Sequence, residues 1–185
     1  MARKKEISLE RILDAADAVI MESAGRHFTL DAVAERAGIS KGGLVYSFAT
    51  KDDLVAAALQ REMDRVQVAV RSRAGTNWNH KGKRLLAYLD EALTEDERLI
   101  RRASFLMTAL LHTPEKSLPA REYYRSLFDL FEDDSRKGKE IRQAILAVEG
   151  VFLLRGIGLA APTPQEWRSV LQHARDTVAS ALEEI

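Results

Sequence analysis

The chain has 185 residues, 28 of them Lys or Arg and 28 Asp or Glu, so its formal net charge is zero. That balance excludes a general nucleic-acid coat, which works through bulk positive charge, but not a local basic site. The absence of cysteine excludes disulfides, thiol redox switches and thiolate-bound metals, and 46% hydrophobic with 30% charged residues is the mixture of a globular protein with a sizeable core.

The first ten residues are basic at Arg3, Lys4 and Lys5 but lack the apolar centre of a signal peptide. No apolar run is long enough to span a bilayer, and a cytoplasmic location is expected. The first predicted helix runs from about Ser8 to Ser23. Its apolar stripe is Leu9, Ile12, Leu13, Ala16, Val19 and Ile20, with Gly25 beyond its end.

The segment Thr29 to Phe48, TLDAVAERAGISKGGLVYSF, reads as two short helices joined by a tight turn. Thr29 is a good N-cap, because its hydroxyl can accept from an orphan N–H of the first turn. Leu30, Val33, Ala34 and Ala37 share one helical face. Gly38 stands where the chain must leave that helix in a left-handed conformation. Ser40 can cap the next helix, in which Leu44 and Phe48 point inward and Lys41, Gly42, Val45 and Tyr46 are left outside. This pattern predicts a helix-turn-helix that enters the DNA major groove. From Arg36 to Lys51 there are three basic residues and no acid. Positive charge is thus expected on the DNA face and acids elsewhere.

Gly42 and Gly43 cost up to ~1 kcal/mol each relative to Ala inside a helix. That cost makes sense where side chains would block the approach of backbone to DNA. Lys41 reaches a base edge or a phosphate, and Val45 can offer a methyl to thymine. Thr29, Ser40, Tyr46 and Ser47 are hydroxyl donors suited to phosphate oxygens. Lys51 sits at a helix start, where free N–H groups already favour an anion.

Thr50 and Asp53 have capping-box spacing and open a fourth helix reaching about Arg73, with Leu54, Ala58 and Met63 on its apolar side and Gly75, Thr76 and Asn77 breaking it. A fifth spans about Lys81 to Leu93. A sixth opens with a second capping box, Thr94 and Glu97, and stops before Pro114. A seventh starts near Pro119 and carries Tyr123, Tyr124, Leu127, Phe128 and Phe131. An eighth runs from about Lys139 to Ala160 and is apolar on more than one face from Val148 to Leu154. Such a helix needs more than one neighbour, in its own core or in a second copy of the chain. The ninth opens with Thr163 as cap, Pro164 at the first position and Glu166 closing the box. Its one-sided apolar set is Trp167, Val170, Leu171, Ala174, Val178, Ala181 and Leu182. Strand signals are almost absent, so the fold is expected to be all-α with about nine helices.

From about Arg11 to Leu59 the sequence resembles the TetR family of bacterial transcriptional regulators. The resemblance lies in RILDAADAVI, FTLDAVAERAGIS and, above all, GISKGGLVYSF followed by Lys51, Asp52, Asp53 and Leu54. Val45 and Ser47 stand where many members carry Tyr and His. The resemblance implies a three-helix DNA-binding head over residues 1–50 and a ligand-binding and dimerisation body over residues 51–185. It also implies a homodimer that represses from a palindromic operator and is released by a small molecule through a population shift carried by the fourth helix. No cofactor is implied. The effector pocket would lie among the fourth to eighth helices, with Trp78, Phe105, Met107, Leu110, Tyr123, Tyr124, Phe128, Phe152 and Arg155 as candidate lining. The dimer interface would form from the last two helices, with Val148, Phe152, Trp167, Val170, Leu171, Ala174 and Val178.

Two other readings are weighed. Gly156, Gly158 and Ala161 spell a G-x-G-x-x-A pattern, the fingerprint of a dinucleotide-dependent enzyme, but that fingerprint needs a strand before it and a helix after it, and Pro162 and Pro164 interrupt the place of the helix. His27, His80, His112 and His173 share no metal-ligand spacing. An enzyme is therefore not expected. The second alternative is a DNA-binding regulator with no small-molecule effector, answering to a protein partner or to none.

Overall fold

The computed structural model describes residues 8–23, 27–94, 97–131, 134–160 and 162–183. Arg3, Lys4, Lys5, Gly25, Ala161 and the side chain of Leu182 lie outside the described residues. Among those described there are nine α-helices and no strand: α1 (Leu9–Ser23), α2 (Leu30–Ala37), α3 (Lys41–Ser47), α4 (Lys51–Ala74), α5 (Lys81–Ala92), α6 (Glu97–Ala109), α7 (Leu118–Phe128), α8 (Arg136–Gly156) and α9 (Pro164–Glu183). None is long and apolar enough to cross a membrane.

Local chemistry sets most of the boundaries. Thr29 Oγ1 accepts from Ala32 N–H at 3.1 Å and starts α2. Gly38 ends it at φ +63°, and the following Ile39 N–H reaches back to Ala34 O at 3.0 Å, the closing bond of a Schellman motif. Ser40 Oγ accepts from Gly43 N–H at 3.1 Å and starts α3. Thr50 and Asp53 exchange side-chain and backbone bonds at the start of α4, and Thr163 and Glu166 do so at the start of α9. The second box, expected at Thr94 and Glu97, does not form. Thr94 instead directs both its N–H and its Oγ1 to Glu91 O, at 2.9 and 2.7 Å. The α8 helix starts three residues sooner than its apolar pattern indicates, because Ser135 caps it through Gly138 N–H.

Two cores result. The first joins α1, α2 and α3 to α4 and α6 through Ile12, Ile20, Phe28, Leu44, Leu59 and Leu106. Leu9, expected in the stripe of α1, is instead 54% exposed. The second core fills the space among α5, α8 and α9 with Leu85, Leu89, Ile145, Trp167 and Leu171. The α6 and α8 helices cross closely at Gly156. A Cβ there would lie 1.8 Å from Ser104 Oγ and 3.0 Å from Ile100 O. This explains the glycine that imitated a dinucleotide fingerprint: a helix, not a strand, leads into it, and its role is close packing.

Candidate DNA-binding face and ligand cavity

The α3 helix buries Leu44 completely and Phe48 almost so, which turns its other side outward. Tyr46 is 93% exposed and Val45 38%, while Lys41 and Gly42 are also exposed and Gly43 and Ser47 half-exposed. Nothing lies within 4 Å of where a Gly42 side chain would begin. The oxygens of Thr29 and Ser40 accept backbone N–H groups as caps, which leaves each hydroxyl proton free to donate to a phosphate. Lys51 opens α4, with its ammonium 5.4 Å from the Phe28 ring centre. All nine residues singled out for DNA are thus exposed or half-exposed.

The charge expectation needs correction. The stretch from Arg36 to Lys51 lacks acids in sequence, but folding brings acids to it. Lys41 Nζ lies 2.9 Å from Asp31, and the Arg36 guanidinium clasps Glu22. Other acids of α1 pair elsewhere. Glu10, Asp14 and Asp17 of α1 all bond Arg61 of α4, at 3.2, 2.7 and 2.9 Å.

Those acids belong to a network that links the head to the body. Asp17 also bonds Arg102 of α6, whose other terminal nitrogen bonds Glu62 of α4. Glu62, buried at 3% exposure, is bonded by Arg65 as well, at 2.8 Å. Its side chain lines a cavity of about 50 Å³, whose wall includes Tyr88, Met107, Tyr123, Tyr124, Glu149 and Phe152. The cavity is therefore one ion-paired residue away from α1.

Of the residues singled out for a ligand, the structure brings Met107, Tyr123, Tyr124 and Phe152 to this cavity. Trp78 lines a second cavity of about 190 Å³ that shares Tyr88 and Tyr123 with the first; the Arg84 guanidinium lies 4.2 Å from its ring centre. Phe105 and Leu110 do not line either cavity. Phe105 packs edge-on to Phe28 at 5.6 Å, and Leu110 is fully buried in the first core. Phe128 lines neither cavity; it is exposed and packs between Tyr124, at 6.1 Å, and Phe131, at 5.6 Å. Arg155 stacks over Trp167 and stands 4.0 Å from Glu97, a structural pairing outside both cavities.

Sequence reasoning missed Tyr88 and Glu149. Tyr88 Oη donates to one oxygen of Glu149, and Tyr124 Oη donates to the other at 2.8 Å. Burial pushes the Glu149 carboxyl above its ordinary range, and the two phenol bonds only partly oppose that shift. Burial, followed by the charge of Glu149, pushes the Tyr88 phenol well up. The available signal was an acid interrupting the apolar run Val148 to Leu154, a polar group that must be satisfied somewhere.

The residues expected at a dimer interface are corrected too. Val148, Trp167, Leu171, Ala174 and Val178 are buried in the chain's own second core, Val170 packs against it, and Phe152 lines the cavity. A face already covered inside one chain cannot cover another. The apolar residues left exposed on α8 and its C-cap are Leu146, Leu153, Leu154 and Ile157. They surround Gly150, beside which nothing lies within 4 Å of a built Cβ.

Comparison with known proteins agrees with this architecture. Residues 12–58 match the family described as bacterial regulatory proteins, tetR family, and residues 82–179 match the tetracyclin repressor-like C-terminal domain. The chain belongs to the TetR family of transcriptional regulators, which are DNA-binding proteins and not enzymes. No curated protein is significantly similar in sequence. Among solved structures, a transcriptional regulator from Rhodococcus sp. Rha1 is 20% identical with a TM-score of 0.72, over 96% of this chain and 97% of that one. A putative transcriptional regulator from Pseudomonas aeruginosa PAO1 is 18% identical with a TM-score of 0.67, over 97% and 92%. The multidrug binding protein EbrR, in its complex with ethidium, is 25% identical with a TM-score of 0.62, over 90% and 97%.

Proposed function

We propose that this TetR-family regulator is a repressor, active in the cytoplasm as a homodimer on a palindromic operator, and that a small molecule in the cavity beside Glu62 releases it. Residues 1–50 form the DNA-binding head in this reading and residues 51–185 the effector-binding and dimerisation body. Lys41, Val45 and Tyr46 meet the groove, with Gly42 and Gly43 allowing close approach. Thr29, Ser40, Ser47 and Lys51 hold phosphates and so fix register. The exposed stripe Leu146, Leu153, Leu154 and Ile157 is the apolar surface that a second copy would cover. A dimer sets the two α3 helices at a fixed spacing, which must match half-sites about one or more turns of DNA apart.

The observation that carries the release mechanism is the chain Asp17–Arg102–Glu62, which connects a head helix to the cavity wall. A ligand that displaces Glu62 or α4 changes how α1 is held, and with it the spacing of the two heads. It lowers DNA affinity only by its differential affinity for the two states. That a structural neighbour, EbrR, is described as binding ethidium, imidazole and malachite green supports a small molecule over a protein as effector.

The test is selection of duplexes from a random pool by the purified full chain, followed by fluorescence anisotropy on the enriched sequence. The expected result is an inverted repeat bound by a dimer and released by compounds that raise the melting temperature of the free protein. A non-repeated site bound by a monomer, or a duplex whose affinity no stabilising compound alters, contradicts the proposal.

A further inference from the structure

Three carboxylates line the first cavity, and two of them have arginine partners. Glu62 has Arg65 and Arg102, and Glu91 has Arg73 at 2.5 Å. Glu149 has neither: among the described residues its side-chain partners are the phenols of Tyr88 and Tyr124. Phenols orient a carboxylate and hydrogen-bond to it, but bring no compensating charge. The rest of the wall is apolar, with Tyr123, Phe152 and Trp167 joining the two tyrosines among aliphatic residues such as Val66 and Val148, and with the Met107 thioether 3.6 Å from Tyr124 Oη. A carboxylate among π faces is attractive to a cation by charge and by ring quadrupole together. An anionic ligand would instead oppose the ionised carboxylate, and a neutral ligand would leave it without a counter-charge.

We infer that Glu149, held between Tyr88 and Tyr124, is the counter-ion for an organic cation, a quaternary or protonated amine, so that the cavity is a receptor for cationic small molecules. This deepens the effector-responsive reading above and rests on it for its biological consequence, though not for binding. The ammonium carbon shell sits against the aromatic rings while its charge replaces the arginine that Glu149 lacks. The two tyrosines are positioning residues for the carboxylate.

The experiment is isothermal titration of the full-length protein with choline and with benzyltrimethylammonium, each against its uncharged carbon isostere. The expected result is that the cations bind at least about tenfold more tightly than the isosteres, and that Glu149→Gln removes this preference. Tyr124→Phe should weaken it several-fold, which keeps the test available if the first variant folds poorly. Glu140→Gln, on the exposed side of α8, should leave it intact. The inference is overturned if the isosteres bind as tightly as the cations, if Glu149→Gln keeps the preference, or if neither cation binds at millimolar concentration. Anisotropy on the selected duplex then separates the two readings: cation binding through Glu149 with unchanged DNA affinity upholds this inference and removes the effector mechanism.

Discussion

Glu62 of α4 and Glu149 of α8 line the same cavity and are satisfied in opposite ways. On the α4 side, Glu62 is locked by two arginines, one of which also holds Asp17 of the head. On the α8 side, Glu149 is held by two phenols and has no cationic partner among the described residues. The first arrangement binds helices to each other, because removing either partner strands a buried ion. The second leaves an open demand for positive charge. In the proposed mechanism the two walls have different work: the α4 wall would transmit and the α8 wall would receive.

The largest expected effect comes from breaking the first wall. Arg102→Met leaves Asp17 without one partner and Glu62 with only Arg65. Loss of a partner to a buried charge costs about 3 kcal/mol or more, which urea unfolding should register as a lower midpoint with unchanged slope. An unaltered midpoint would mean that the network is ornamental to the head–body seam.

The second wall is sharpened by pH. Burial raises the Glu149 carboxyl above its ordinary value of 4.5, so the folded state holds that proton more tightly than the unfolded state does. Its contribution to stability is complete below the ordinary value and is lost as pH rises through the raised one. Glu149→Gln does not titrate. The melting temperature of the wild type should therefore fall relative to that of the variant between pH 4.5 and neutrality. A constant difference over that window would show that Glu149 is no harder to ionise than an exposed glutamate.

The smallest effect lies on the DNA face, where the pair Lys41–Asp31 is exposed and weak. Asp31→Asn should leave stability unchanged and tighten duplex binding by about two- to fivefold, because Lys41 no longer gives up a partner. Weaker binding would mean that Asp31 positions Lys41 for the groove.

The head was legible because its determinants are local. Thr29, Gly38, Ser40, Thr50 and Asp53 announce boundaries within a few residues of where they act, and Leu44 and Phe48 leave one outer face for α3. The body was legible in its helix count and order but not in which side of each helix meets what. Trp167, Leu171 and Val178 form an apolar stripe that would serve equally against α5 or against a second chain. Only the three-dimensional placement of α5 decides for the core. The same holds for charge. Glu149 finds Tyr88 61 residues away in sequence, and Lys41 finds Asp31 through the turn at Gly38. Neither partner is visible from spacing. Gly156 shows the reverse hazard, a motif whose glycine exists to let α8 pass Ser104.

The central claim, that the outer face of α3 and the start of α4 meet the phosphate backbone and groove, is tested most directly by the salt dependence of binding to the selected duplex. A plot of log affinity against log salt should be steep for the wild type. It should flatten by about one charge for each of Lys41→Ala and Lys51→Ala in every head that contacts DNA. Identical slopes and affinities for the wild type and both variants would place the DNA on another surface and contradict the account.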